Sequence, residues 1–434
     1  MDFVDIPVGS NAFDRLDGSA RQTSLAESPY PDQYFDYARE TPTEVTPLSF
    51  AINGRFLSQS TTGVQRVARE LTRALDRILT ERPELGSAVL VAGKDAAMAD
   101  LDLQSIQLVQ LGTARRASWE QWQLPRAVGA RPLLCLGNTA PARMLLRRRK
   151  VAVMVHDLSY RIFPEAYGAF YRLGHSALLP ILLRRAEPIF TVSQTERLML
   201  SSLMEDRSSK VVVAPNGGWH DDWVDERPFD IRRCEGPILY VGSFSRRKNF
   251  LGSIACAVKL ALRDGRRSLF IGSGGGFLSA VDAEIPEAAR PYIEFRGQVE
   301  SLEELKAAYR SAACLLFPSF YEASPMPPVE AFALGCPVVT SDIPSLRERC
   351  GDAAIYCQPD DIDDMISCVD RVTRDPALAA KQVEKGYARV RALSWRRQAE
   401  TVLAAMRRSF APTVDGGLNR TLEPGTRTFP PQNS

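Results

Sequence analysis

Phe317-Pro318-Ser319-Phe320-Tyr321-Glu322-Ala323-Ser324-Pro325-Met326-Pro327-Pro328-Val329-Glu330-Ala331-Phe332-Ala333-Leu334-Gly335-Cys336-Pro337-Val338-Val339 joins two apolar runs through a proline-rich loop. Pro325, Pro327 and Pro328 forbid helix through that loop, because proline lacks an amide hydrogen and pushes the preceding residue out of the α region. Pro328 suits a first helical position, the apolar spacing carries the helix to about Leu334, and Gly335 ends it. The stretch reads strand, loop, helix, strand. Glu322 falls on the loop and Glu330 in the first helical turn. A helix start of this kind can hold phosphate, and carboxylates beside it can accept hydrogen bonds from sugar hydroxyls. The plainer alternative makes Glu330 a favourable charge at a helix N-terminus and Glu322 a surface residue.

The same alternation extends in both directions. Upstream, apolar runs occur at Leu48 to Ile52, Ala88 to Ala92, Pro132 to Leu136, Val151 to Val155, Pro188 to Val192 and Val211 to Ala214. After the first run, Val64, Val67, Ala68, Leu71, Leu75, Ile78 and Leu79 recur at helical spacing. Polar residues gather at Pro228 to Pro237, which reads as a linker, and then the opening pattern returns. Strand Ile238 to Val241, helix Phe250 to Arg263, strands at Ser268 to Ile271 and Ile293 to Arg296, helix Leu302 to Ala312 and strands at Cys314 to Phe317 and Pro337 to Thr340 follow. Strands alternating with helices imply α/β architecture with parallel sheet. The expectation is two Rossmann-like, doubly wound units facing across a cleft, residues 47–230 and 231–394, with a helix at 395–411. Residues 1–46 and 412–434, rich in Ser, Pro, Thr and Gly, read as disordered tails.

Composition narrows the function. With 54 basic and 52 acidic residues among 434, the formal charge is +2, a poor footprint for a nucleic-acid binder. The eight cysteines include no CxxC pair and sit in apolar company, which reads as buried reduced thiols. No charged n-region precedes an apolar core near the N-terminus, and the apolar stretch Ala177 to Leu183 is far short of the roughly 20 residues of a membrane span. The expected compartment is a reducing cytoplasm.

Three further segments carry chemistry. Gly242-Ser243-Phe244-Ser245-Arg246-Arg247-Lys248-Asn249 follows a strand and precedes a helix, so its cations are placed to neutralise a diphosphate; a solvated basic loop is the alternative. Val153-Met154-Val155-His156-Asp157 ends a strand on one of only three histidines, at the carboxyl edge where ligands gather. A hydrogen-bonded structural histidine would look the same. Gly63, in the first strand-to-helix loop, permits close approach of backbone to ligand, or simply a turn. Gly272 to Phe277 fails the dinucleotide GxGxxG pattern at Phe277. Asp360-Asp361-Ile362-Asp363-Asp364 reads as an acidic helix start, and no His/Cys group has zinc spacing, so no metal is expected.

Taken together, these segments resemble the GT-B glycosyltransferases of family 4, which are retaining and metal-independent, over roughly residues 48 to 411. Glu322 and Glu330 reproduce that family's E-x7-E spacing, and Tyr240 to Asn249 resembles its VGTLEPRKN-type loop. Val155 to Ser159, Thr191 to Ser193, Pro215 to Gly217 and Gly351 to Ala354 fall in the family's usual order. The resemblance implies that Glu330 holds the donor ribose and Glu322 the donor-sugar hydroxyls. It implies that Arg247 and Lys248 bind the diphosphate and that His156 lies against the transferred sugar. Ser243, Met326 and Gly63 would line the donor site, with backbone near Gln298 and Val299 meeting the base, and the helix near Trp395 would cross back to the first unit. One departure is clear: the family's E-G-F-G start is Glu322-Ala323-Ser324-Pro325 here, and Pro325 offers no N–H.

The function this resemblance implies is sugar transfer from a nucleotide-sugar, with GDP-mannose ahead of UDP-sugars, to a polysaccharide or lipopolysaccharide acceptor that is saccharide or lipid-linked. No cofactor is implied. Arg143-Met144-Leu145-Leu146-Arg147-Arg148-Arg149-Lys150 interleaves cations with apolar residues, a pattern suited to peripheral contact with an anionic membrane face or to a solvated helix end. A non-catalytic scaffold and a sugar-nucleotide epimerase are the other functions weighed.

Overall fold

The structure, a computed structural model, describes residues 46–97, 101–112, 116–204, 210–219, 223–274, 284–299 and 301–411. The expected tails, apart from Thr46, and Gly276 and Phe277 lie outside these residues. Short apolar runs become strands buried on both faces, as parallel sheet sandwiched by helices requires. The first unit contains β1 (Leu48–Asn53), β2 (Gly86–Ala92), β3 (Gln107–Gln110), β4 (Leu133–Cys135), β5 (Val151–Met154), β6 (Ile189–Thr191) and β7 (Val211–Val213). They form one parallel sheet in the order β3-β2-β1-β4-β5-β6-β7. The second unit contains β8 (Ile238–Val241), β9 (Ser268–Ile271), β10 (Ile293–Gly297), β11 (Cys314–Phe317), β12 (Val338–Ser341) and β13 (Ala354–Cys357), also parallel, in the order β10-β9-β8-β11-β12-β13.

Strand order reverses between β1 and β4 in one sheet and between β8 and β11 in the other. Ligands of open α/β sheets bind at such points, outside the carboxyl ends of the strands. The helices used below are α1 (Gly63–Glu81), α2 (Ala169–Arg185), α3 (Gln194–Ser201), α4 (Phe250–Asp264), α5 (Leu302–Ser311), α6 (Pro327–Ala333), α7 (Pro344–Cys350), α8 (Ile362–Arg374), α9 (Pro376–Ala392) and α10 (Trp395–Phe410). The acidic run behaves as a helix start: Asp361 caps α8, its Oδ1 accepting from the Asp363 and Asp364 amides. All eight cysteines are unpaired and all but Cys234 are buried.

β3 and β13 are not evident from the sequence. Both are edge strands, paired on one side only. β3 reads Gln-Leu-Val-Gln and is exposed along its length, so no apolar run marks it. β13 is four residues directly after the Gly351 turn.

Two connections tie the units. Ala214 belongs to the first core and Trp219 to the second, so the chain passes into the second unit's core before the polar stretch at 228–237. The return is α10, whose Trp395, Ala399, Val402, Leu403 and Met406 pack into the first core against α1. The two crossings touch: Trp395 Nε1 donates to the Trp219 carbonyl at 2.9 Å, and Gln398 Nε2 donates to Asn216 Oδ1 at 2.9 Å. Gly217 lies at this point because a Cβ there would sit 2.6 Å from the Trp395 ring.

Candidate active site

The carboxyl ends of β8 and β11 bring three charges together. The turn after β8 supplies Arg247 and Lys248, and the loop after β11 supplies Glu322. Lys248 Nζ lies 2.5 Å from Glu322 Oε1, and Arg247 Nη1 lies 3.4 Å from Oε2 and donates to the Tyr321 carbonyl at 3.1 Å. The ammonium also sits over the Phe317 ring, 4.8 Å from its centroid. Burial lifts the Glu322 carboxyl, but Lys248 and then Arg247 outweigh it and hold the group below the usual carboxylate range. A dianion entering here would meet two cations whose present counter-charge is one carboxylate. Arg246, the third cation of the triplet, is exposed.

Glu330 forms a second ionised group. It stands in the first turn of α6, as the proline spacing implied. Its Oε1 is 2.5 Å from Arg66 Nη1 of α1, so this pair spans the two units. Tyr309 of α5 donates to its Oε2 at 2.9 Å, and Trp219 Nε1 donates to its backbone carbonyl at 3.0 Å. The Arg66 guanidinium also lies 5.9 Å from the Trp219 ring centroid. Burial works against the charge on Arg66, and Glu330 more than offsets it, raising its affinity for the proton. Gly63 opens α1 one turn earlier, and a Cβ there would meet Met326 Cε at 3.9 Å, so the two face each other across the cleft.

The remaining donor-side candidates are more peripheral. Ser243 is exposed; its carbonyl accepts from the Tyr240 hydroxyl at 2.9 Å and its hydroxyl lies 3.2 Å from that of Ser245. Gln298 and Val299 follow β10; Gln298 is exposed, and Val299 packs on the second core.

On the first unit, His156 follows the end of β5. Its backbone N–H donates to Asn138 Oδ1 at 2.6 Å and its ring Nε2 lies 2.8 Å from the Leu136 carbonyl. A carbonyl only accepts, so Nε2 carries the hydrogen. Burial lowers the ring's proton affinity, keeping the imidazole neutral. Asp157 is near enough to add to the charge stabilisation of Arg247, behind Glu322 and against the cost of burial. The strand ends of the two sheets therefore converge.

Three contacts hold them in that relation, and sequence reading singled out none of their charged residues. Tyr321, beside Glu322, donates to Glu196 of α3 at 2.6 Å; burial pushes that carboxyl up to about 8. Glu348 of α7 accepts from the Gln194 and Thr195 amides at 2.5 and 3.0 Å, capping α3 from the other unit. Arg349, buried, donates to the carbonyls of Pro325, Asn216 and Gly217 at 3.1, 2.5 and 2.7 Å. The Ala323-Ser324-Pro325 departure is thus anchored through carbonyl oxygens, with Asn216 Nδ2 donating to the Ser324 carbonyl at 3.3 Å. Only Asn216 and Gly217, in the Pro-Asn-Gly triplet, and Pro325, in the departed loop, gave a signal. Glu196, Arg349 and Arg66 are charges spaced on helices, where a solvated face looks the same.

The basic segment Arg143 to Lys150 divides. Met144 and Leu145 are buried in the first unit, while Leu146 is 61% exposed. The short helix Ala142–Leu146 packs beside α2, whose Phe170 is 93% exposed and whose Leu173 is also exposed. Among the described residues no helix is long and apolar enough to cross a membrane.

Residues 235–375 match the family described as Glycosyl transferases group 1. The O-antigen chain mannosyltransferase B of Escherichia coli is 26% identical over 260 residues, covering 57% of this chain and 68% of that protein. Sucrose-phosphate synthase from Thermosynechococcus elongatus has a similar structure, with a TM-score of 0.64 at 20% identity over 84% of this chain and 99% of that one. Anabaena HepE in complex with UDP and glucose has a TM-score of 0.62 at 14% identity, over 84% and 100%. The fold is GT-B, and the protein is a glycosyltransferase.

Proposed function

We propose that this enzyme moves a sugar from a nucleotide-sugar to a growing polysaccharide or lipopolysaccharide acceptor, with retention of anomeric configuration and without a metal. The observation that carries the reading is the convergence of Lys248 and Arg247 on Glu322 at the β8/β11 switch point. In the reaction, the bond between the sugar's anomeric carbon and the diphosphate oxygen breaks, and the electron pair leaves with the diphosphate. The acceptor oxygen bonds to that carbon on the same face and its proton passes to a diphosphate oxygen. Lys248 and Arg247 stabilise the negative charge that develops, a contribution of about 10²–10³ in rate for one such contact. Glu322 exchanges cation contacts for donor-sugar hydroxyls, and Glu330 exchanges Arg66 for the ribose.

GDP-mannose is the favoured donor, supported by the mannosyltransferase relative; a UDP-sugar is the alternative, supported by the HepE complex. Labelled GDP-mannose, UDP-glucose and UDP-N-acetylglucosamine, screened for protection against thermal unfolding and for labelled product, should single out one donor. Protection by none of them, with no product, would reject the reading in favour of a non-catalytic scaffold, which the Ala323-Ser324-Pro325 departure motivates.

The acceptor is lipid-linked, and the enzyme works at the cytoplasmic face of a membrane in this reading. Exposed Leu146, Phe170 and Leu173 lie among Arg147, Arg148 and Arg172, and Ala166 to Ala186 contains no acidic residue. Such a surface favours anionic lipid. The full chain should float with vesicles containing phosphatidylglycerol and not with pure phosphatidylcholine; equal flotation, or none, would discard this contact.

A further inference from the structure

Parallel strands put all their starts on one edge of a sheet, and in the first sheet that edge is basic. Within four residues before β4, β5 and β6 stand Arg131, Arg147, Arg148, Arg149, Lys150 and Arg185, against one acid, Glu187. Arg131, Arg147, Arg148 and Arg185 are exposed and form no ion pair among the described residues. The cleft lies at the other end of these strands, so the donor site does not use them. The chain also enters the fold at this edge. The Thr46 carbonyl accepts from Arg407 Nε at 3.4 Å, and Lys150 Nζ donates to the Phe410 carbonyl at 2.9 Å. Arg407 and Phe410 share the last turn of α10, so Thr46 and Lys150 flank one helical turn. Burial and then the neighbouring Arg82 lower the proton affinity of Arg407, as crowded like charges require.

The sequence that precedes Thr46 has the opposite charge. Residues 1–45 hold nine acidic and three basic side chains, a net −6, and the rest of the chain therefore carries +8. Asp32, Asp36, Glu40 and Glu44 recur at every fourth residue, with Arg39 the one base among them. Four residues make two full pleats of an extended chain and about one turn of a helix, so these carboxylates share a face in either form. Reach is not limiting. Neighbouring strands lie about 4.8 Å apart, which puts the start of β6 roughly 15 Å across the edge from β1. Ten extended residues span up to about 33 Å.

We propose that the acidic segment before Thr46 lies across the basic edge of its own molecule, with Asp32, Asp36, Glu40 and Glu44 facing Arg131, Arg147, Arg148 and Arg185. A single exposed ion pair is worth little, but attachment at Thr46 holds the two partners at an effective concentration of about millimolar, so several weak pairs act together. The segment shields this edge from other polyanions. An anionic membrane that reaches Arg147 and Arg148 has to displace it. The inference requires neither the proposed sugar transfer nor the proposed membrane contact.

The test treats the full chain at low ionic strength with a carbodiimide, which joins carboxylates to amines in direct contact, and maps the links by peptide mass spectrometry. Carboxylates among Asp32, Asp36, Glu40 and Glu44 should link to Lys150, at a yield independent of protein concentration and about tenfold lower in 1 M NaCl, where exposed charges are screened. Arg131→Gln, Arg147→Gln and Arg185→Gln together should lower the yield by a similar factor. A second variant carries Asp32→Asn, Asp36→Asn, Glu40→Gln and Glu44→Gln, all outside the described fold. It should bind heparin about tenfold or more tightly than the wild type, because its basic edge is uncovered. The inference is overturned if links to Lys259 and Lys306 of the second unit match those to Lys150, as a solvated segment would give. A yield that rises with protein concentration would assign the contact to a second copy instead and overturn it too, as would unchanged heparin binding in the second variant.

Discussion

Lys248→Ala is expected to lower kcat by at least about 10²-fold, the scale lost when one preorganised contact to a developing anion is removed. The side chain is nearly enclosed, touching Glu322 and the Phe317 ring, so solvent cannot replace its charge from outside. The substitution also leaves Glu322 with Arg247 alone, at 3.4 Å, and loss of one partner of a buried pair costs up to about 3–5 kcal/mol. Thermal unfolding should therefore shift downward while the chain still folds cooperatively. Steady-state turnover, circular dichroism and a melting curve separate the two effects. Near-wild-type turnover in a folded variant would remove Lys248 from the catalytic machinery.

Glu330→Ala should act on donor binding instead. A contact to a ribose hydroxyl is the same in the bound substrate and in the transition state, so its loss raises KM more than it lowers kcat. Hydrogen bonds to a charged group are worth about 1.5–3 kcal/mol, which corresponds to roughly 10- to 150-fold in donor KM. Arg66 and Tyr309 lose their shared acceptor at the same time, so the contact between α1 and α6 loosens. Glu330→Gln, which keeps an oxygen, should fall between. An unchanged donor KM in Glu330→Ala would show that the ribose is held elsewhere.

Much of the fold could be read because most strands of both sheets are short apolar runs separated by helices, a pattern that buried parallel sheet imposes on its sequence. The edge strand β3 escaped because it is exposed along its length and carries no apolar run, and β13 because it is only four residues long although buried. Lys248, Glu322 and Glu330 were legible for a similar local reason. Each lies within a few residues of a strand end or a proline that fixes the backbone. Arg66, Glu196, Glu348 and Arg349 were not, because each gains its meaning from a partner more than 100 residues away. Nothing in a helical charge's own neighbourhood distinguishes a cross-unit contact from a solvated face. The Ala323-Ser324-Pro325 loop illustrates the same limit: the missing amide was visible, while the guanidinium that takes up the Pro325 carbonyl was not.

The placement of α10 bears on how the protein is made. Val67, Leu71, Leu75 and Ile78 of α1 share a core with Trp395, Val402 and Met406. A ribosome delivers the first unit's strands long before those partners. The part of α1 that packs on α10 therefore stays uncovered until residue 406 has emerged, although its sheet-facing side can already settle on the first unit's strands. The first unit's core is thus completed only by the last helix of the chain, after the second unit has been made.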